Sequence, residues 1–511
     1  MTTTPESETL TGVVATTSGP VRGTAQNGLA VYRGIPYAAP PFGALRFRAP
    51  APHEPWTEPR DCTAYGATAP KPPYRESVSE LLPEPEISGE DCLNLNVWCP
   101  ETRSAAGVPV FFWVHGGSFQ NGSSAVPIYD GAAFARDGVV AVTINYRLGV
   151  DGFAHLSGAV DNRGLLDQIA ALEWVRDNIA AFGGDPDNVT IAGESAGAMS
   201  VTTLTAMPPA RGLFHRVIAQ SGAGHYALRP ETATKVTSAL AEELGVEPTS
   251  EALAAVPIPD LLAAHERLGL RIAGNPDPAL WGEIAANMMM FEPVVDGDTL
   301  PGLPYAVLAA GEGTDVDLLI GSNDDEHALF TYPVVDGIEE ARVRGVLAAF
   351  QAAPDAYETY VARTGSARPG DVMTAALTDW FFRMPAIRLA EARAALGKPS
   401  HVYEFGWKTP VMGGALGSCH ALEIAFAFDT INAPEGRGMV GDAPPQALAD
   451  DMHAAWVAFV STGDPGWPAY GEARHTRRFG GHDDGAVFHD PDRERREVWP
   501  WVGGAPEATG R

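Results

Sequence analysis

An α/β fold is predicted for this chain, with one large, mostly parallel sheet and helices on both of its faces. Two almost wholly apolar runs, Val108–Val114 and Gly138–Asn145, fit strands that are covered on both sides. Between the second run and a further strand candidate, Val189–Ala192, apolar residues recur near the helical period from Leu165 to Ile179. Strand, crossover helix and strand in succession mark a parallel sheet.

Taken in order, the first elements are short strands at Gly12–Ala15 and Gly28–Tyr32, separated by turns. Proline crowds Pro36–Pro55, which predicts a pinned loop. Alternation of Leu and Asn over Leu93–Trp98 predicts a half-buried strand. After Val108–Val114 the apolar run breaks abruptly at His115-Gly116-Gly117, and Gly183-Gly184-Asp185-Pro186 forms a turn before Val189–Ala192. A helix follows at Ala198–Met207 and stops at Pro208-Pro209. Val316–Ile320 and His401–Phe405 are strand candidates, and Glu339–Ala353, Ala386–Leu396 and Leu448–Phe459 are helical by spacing. Residues 231–286 are rich in helix and offer no clear core strand, so they are expected to form an inserted helical cap. Beyond Leu448–Phe459 the C-terminal region is expected to be Pro- and Gly-rich turns. No repeat or composition shift divides the chain, and one catalytic domain over residues 1–511 is expected.

Composition narrows the function. With 511 residues, 45 % of them hydrophobic, the chain can bury a large core without metals or cross-links. Its formal net charge of -29 repels phosphate backbones and anionic bilayers, which argues against nucleic-acid and membrane partners. Met1–Ser18 lacks a basic patch followed by an apolar stretch, and no apolar run reaches 18 residues, so a soluble cytoplasmic protein is expected. Four cysteines, Cys62, Cys92, Cys99 and Cys419, have neither metal-site nor dense disulfide spacing. No His-Glu-x-x-His cluster is present, and neither a metal nor an organic cofactor is expected. The expected partner is a small molecule, met by a monomer or weak homo-oligomer.

Chemistry concentrates at two loops. Gly193-Glu194-Ser195-Ala196-Gly197 sits between a short strand and a helix, where a sharp turn holds a serine hydroxyl clear of the backbone. Small neighbours let strand and helix pass closely, and the helix N-terminus brings free N–H groups to the same place. His115-Gly116-Gly117-Ser118-Phe119 leaves an apolar strand directly, and its glycines allow amides to turn inward on a developing negative charge. Gly117 and Ser118 are the expected backbone donors, with Ala196 as a third. A base and an orienting acid are also needed. Spacing alone leaves them open among thirteen histidines, including His115, His155, His225 and His327, and among Asp324, Asp325 and Glu326.

At this point the chain closely resembles the type-B carboxylesterases, the α/β-hydrolase family that includes bacterial p-nitrobenzyl esterases and the cholinesterases. Arg33-Gly34-Ile35-Pro36-Tyr37-Ala38, Leu45-Arg46-Phe47, Glu90–Val97, Asn145-Tyr146-Arg147-Leu148-Gly149 and the Ser195 segment carry the likeness in order. The resemblance implies an α/β-hydrolase fold with an N-terminal antiparallel part to the sheet and inserted helical cap regions. It assigns Ser195 as nucleophile, Glu326 of Asp324-Asp325-Glu326 as acid, and His420 of Cys419-His420-Ala421 as base. Glu194 matches a buried acid beside the family's nucleophile and Ser221 a serine near its triad, with Gly116 supporting the oxyanion loop. Three departures stand out. His327 replaces the usual Gly after the acid, adding bulk and a rival hydrogen bond. Ser118 replaces Gly or Ala, and no Cys stands near Ala69 to pair with Cys92, which is therefore expected to be a reduced, buried thiol.

The implied reaction is ester hydrolysis through an acyl-enzyme, with an acid limb near histidine's pKa of about 6 to 7. Hydrolysis of a carbamate, amide or lactone by the same residues is the rival reaction. A non-catalytic binding protein of the same family is the rival from another class, opposed by the presence of all three residues. Phe119, Trp281, Met288–Phe291 and Trp380-Phe381-Phe382 are the candidates to line a substrate pocket.

Overall fold

A computed structural model describes residues 9–74, 76–102, 106–398, 400–491 and 493–499. Its fifteen strands are β1 Thr9–Leu10, β2 Val14–Ala15, β3 Pro20–Arg22, β4 Thr24–Gln26, β5 Leu29–Pro36, β6 Arg60–Asp61, β7 Asn94–Pro100 and β8 Val108–Val114. After these come β9 Val140–Ile144, β10 Gly184–Glu194, β11 Arg216–Gln220, β12 Asp317–Asn323, β13 Ser400–Phe405, β14 His475–Phe479 and β15 Val487–His489. Twelve form one sheet in the order β1-β4-β5-β7-β9-β8-β10-β11-β12-β13-β14-β15, and β2, β3 and β6 form a second small sheet. In the large sheet every neighbouring pair from β9 through β14 is parallel, while the pairs from β1 to β9 and the β14–β15 pair are antiparallel. This is the mixed, mostly parallel sheet of an α/β-hydrolase.

β8 shows why the central strands are apolar throughout. It pairs in parallel with β9 on one side and β10 on the other. Val110, Phe112 and Val114 enter the core on one face of the sheet, and Phe111 and Trp113 enter the core on the other. With both faces covered, alternation has no function and disappears. Between these strands, the helix Arg163–Asn178 buries Leu165, Ile169, Leu172 and Val175 against the sheet.

Several boundaries differ from expectation for physical reasons. β7 is buried along nearly its whole length, not half-buried. Its asparagines are satisfied internally: Asn94 donates to the carbonyls of Ala67 and Asp91, and Asn96 donates to Ser124 Oγ and Thr143 Oγ1. Gly184-Asp185-Pro186 belongs to β10, which carries an irregularity before Val189. The C-terminal region holds β14 and β15 where turns alone are expected. Residues 231–286 contain the helices Pro230–Leu244, Ser250–Ala254, Ile258–Gly274, Pro278–Trp281 and Ile284–Asn287, and no strand. The first and third of these are in contact, and Val236, Leu240, Leu261 and Leu268 are buried in the core. Among the described residues no helix is long and apolar enough to cross a membrane.

Candidate active site

Three parallel strands, β8, its neighbour β10, and β12 beyond β11, deliver the site from their C-terminal ends, where an open α/β sheet places its reactive loops. β10 ends at Glu194. Ser195 takes φ 56°, ψ -125°, and the helix Ala196–Ala206 begins at once. A non-glycine residue in that conformation is strained, and the surroundings hold it there. A Cβ on Gly193 would lie 2.4 Å from the Gly197 carbonyl carbon, and one on Gly197 would lie 2.0 Å from the Val114 carbonyl oxygen. The motif's glycines are therefore needed because strand and helix touch backbone to backbone. The Ser195 amide is anchored to the Gln220 carbonyl at 2.9 Å, its side chain is half-buried, and Ser195 Oγ has no hydrogen-bond partner among the described residues.

The loop after β8 turns tightly. Gly117 has φ +114°, and Ser118 and Phe119 also have positive φ, at 54° and 61°. The Gly117 carbonyl accepts from the amides of Gln120 and Asn121. The amides of Gly117, Ser118 and Ala196 have no acceptor among the described residues, which leaves three donors available to a ligand. Gly116 stands between the two halves of the site: a Cβ there would lie 2.9 Å from Glu194 Oε2 and 3.1 Å from Ser195 Cβ.

Glu326 and His420, 94 positions apart, meet through a hydrogen bond of 2.7 Å between Oε2 and Nδ1. Glu326 Oε1 accepts from the Asn323 amide at 2.7 Å, and both residues are buried. On the other ring edge, His420 Nε2 lies 3.1 Å from Glu194 Oε1. Burial opposes charge on His420, but the carboxylates of Glu194 and Glu326 outweigh it and raise the imidazole to about 9. Burial raises Glu194, and the neighbouring His420 opposes that rise. The acid limb near 6 to 7 expected from an ordinary histidine must therefore move upward.

Sequence reasoning missed the junction behind these loops. Glu423 is fully buried, accepts from Gln220 Nε2 at 3.2 Å through Oε1, and accepts from Asn323 Nδ2 at 2.6 Å through Oε2. Gln220 holds the Ser195 amide, Asn323 holds Glu326, and Glu423 follows His420 by three residues. One carboxylate thus joins three loops. Burial and then Glu326 push it up to about 7. Only its place in the His420 segment pointed to it.

The remaining candidates divide. Phe382 lies 4.6 Å from the His420 ring and Phe381 lies 4.7 Å from Phe382. Phe330, missed in the sequence, stands 5.4 Å from His420 and is exposed. Trp380 stacks on Phe350 instead. Phe119 has no exposed surface and packs on Phe153, and Phe291 is buried beside His265. Trp281 borders a separate cavity of about 570 Å³ among the helices of residues 231–286, under Arg271. Met289 and Met290 are buried in the core, and Met288 is an exposed residue with φ 59° at the end of Ile284–Asn287. Ser221, at φ 53°, buries an Oγ that has no hydrogen-bond partner among the described residues. His327 makes no rival hydrogen bond to Glu326: its Nδ1 is buried without a partner among the described residues, its ring lies 5.3 Å from Phe330, and burial lowers it to about 3. All four cysteines are free and buried.

A serine on a strained strand-to-helix turn, amides without an acceptor among the described residues and a hydrogen-bonded His–Glu pair at the C-terminal ends of the strands define a serine hydrolase of the α/β-hydrolase class. The model of the carboxylesterase family matches residues 11–482. The para-nitrobenzyl esterase of Bacillus subtilis strain 168 is 39 % identical over 502 residues, covering 95 % of this chain and 98 % of that protein. The phenmedipham hydrolase of Pseudarthrobacter oxydans is 37 % identical, covering 90 % of this chain and 92 % of that protein. Among solved structures, the Geobacillus stearothermophilus carboxylesterase Est55 superposes with a TM-score of 0.82 at 36 % identity, over 95 % of this chain and 99 % of that one. The chain belongs to the carboxylesterase family, and it is a serine esterase that hydrolyses carboxylic esters.

Proposed function

We propose that Ser195, His420 and Glu326 carry this hydrolysis. His420 Nε2 takes the Ser195 Oγ proton as Oγ attacks the ester carbonyl, and the amides of Gly117, Ser118 and Ala196 receive the oxyanion. His420 then returns the proton to the departing alkoxide, and water repeats the cycle on the acyl-enzyme. Glu326 accepts the Nδ1–H of His420, which turns Nε2 toward Glu194, the chain neighbour of Ser195. The 2.7 Å His420–Glu326 hydrogen bond beside a strained serine turn is the observation that carries this reading.

His420→Ala is expected to lower kcat for p-nitrophenyl butyrate about 10⁴-fold or more, with circular dichroism unchanged. Near-normal turnover would assign the base to another histidine. Phe330 and Phe382 beside His420 support a preference for medium-sized or aromatic esters. The likeness to a phenmedipham hydrolase supports aryl carbamates as a second substrate class. Residues 231–286 serve as a cap over one catalytic domain. Four free, buried thiols support a reducing, cytoplasmic location.

A further inference from the structure

Lys71 and Glu84 form an ion pair at 3.7 Å, with side chains only 5 % and 9 % exposed. They belong to the stretch between β6 and β7, where Cys92 is a free thiol and no disulfide closes the chain among the described residues. Each member of the pair grips the same residue. Glu84 Oε1 accepts from the Gly122 amide at 2.8 Å, and Lys71 Nζ donates to the Gly122 carbonyl at 3.0 Å. Asn121 is held as well, its Nδ2 donating to Glu84 Oε1 at 3.3 Å and to the Pro72 carbonyl at 2.5 Å. Lys71 also donates to the Pro85 carbonyl, and Glu84 Oε2 accepts from the Tyr74 amide, so the pair ties its own stretch together.

Gly122 and Asn121 are the far wall of the turn that presents the Gly117 and Ser118 amides. The Asn121 amide donates to the Gly117 carbonyl at 2.8 Å. A Cβ on Gly117 would lie 2.3 Å from the Asn121 carbonyl oxygen, and one on Gly122 would lie 2.4 Å from the Gly116 carbonyl oxygen. Any shift of Gly122 therefore passes directly into Gly116 and Gly117. A buried ion pair is a poor device for stability, because desolvation offsets its attraction. It does fix geometry, and misplacing a reacting group by about 1 Å costs on the order of 10²-fold in rate.

We propose that Lys71 and Glu84 are positioning residues for the oxyanion loop, a clasp that sets the Gly117 and Ser118 amides for the transition state. The proposal rests on those amides being the oxyanion donors. In Lys71→Met, kcat for p-nitrophenyl butyrate should fall about tenfold or more, a fraction of the 10²- to 10³-fold lost with a whole donor. KM should stay within about twofold, and the Ki of a trifluoromethyl ketone, which forms a hemiketal oxyanion on the serine, should rise by the same factor as kcat falls. Glu84→Gln keeps an acceptor for the Gly122 amide and should show a smaller change of the same pattern. Thermal melts establish that each variant is folded, and Glu84→Gln decides the matter if Lys71→Met does not fold. The clasp is overturned if a folded variant keeps kcat and Ki within twofold of wild type, or loses kcat with Ki unchanged. Gly117→Ala separates the two layers. If it binds the ketone normally, the reading of the amides fails and takes the clasp with it. If it loses the ketone while Lys71→Met does not, only the clasp fails.

Discussion

His420 sits between two carboxylates that do different work. Glu326 bonds Nδ1, whereas Glu194 faces Nε2, the nitrogen that accepts the serine proton in the proposed mechanism. Both charges favour the imidazolium and outweigh the burial that opposes it, so the folded protein raises His420 above an ordinary histidine. A base works only when neutral, and a raised pKa keeps it protonated to higher pH. The acid limb of kcat/KM should therefore lie above about 6.5, and Glu194→Gln should move it down by about one pH unit. A pH–rate profile of both proteins checks this, and a wild-type limb at or below 6.5 that Glu194→Gln leaves in place contradicts it. At this scale the sequence was legible where chemistry is local. Ser195 and the glycines around it announce a turn in five residues, and His115-Gly116-Gly117 does the same. The His420–Glu326 pair spans 94 positions, so only family resemblance selected it. Glu423 and Gln220 escaped notice because their roles exist only once distant loops meet.

Elements became legible in proportion to how fully the sheet buries them. β8 and β9 lie in its middle and appear as unbroken apolar runs. β14, near the edge, reads His475-Thr476-Arg477-Arg478-Phe479, and its polarity is used in ion pairs, Arg477 with Asp451 and Arg478 with Asp324 and Glu404. Such a strand looks like a loop. β11 was missed for a related reason, since three apolar residues between Arg216 and Gln220 are too few to show a period. At the joint between β10 and Ala196–Ala206 the constraint is steric. Gly197→Ala would press a methyl group 2.0 Å from the Val114 carbonyl oxygen, and backbone must move to admit it. We expect a stability loss of about 1–3 kcal/mol and a fall in kcat/KM of about 10²-fold as the serine and the oxyanion loop shift apart. Denaturant melts and steady-state kinetics would show both, and an unchanged kcat/KM would mean that the joint tolerates the separation.

Across the whole molecule, the sheet gathers residues from loops far apart in the chain. In the proposed site, β8 supplies the oxyanion loop, β10 the serine, and β12 the acid, while the loop after β13 brings His420. Glu423 joins three of these loops from within, and Lys71 with Glu84 holds the fourth from outside. The central claim is that this convergence makes one serine, Ser195, the nucleophile. Covalent labelling with a fluorophosphonate, followed by peptide mass spectrometry, tests it most directly. The account predicts a single adduct on Ser195, and loss of both labelling and ester hydrolysis in Ser195→Ala. An adduct on another serine, or a Ser195→Ala protein that still labels and turns over ester, would contradict it.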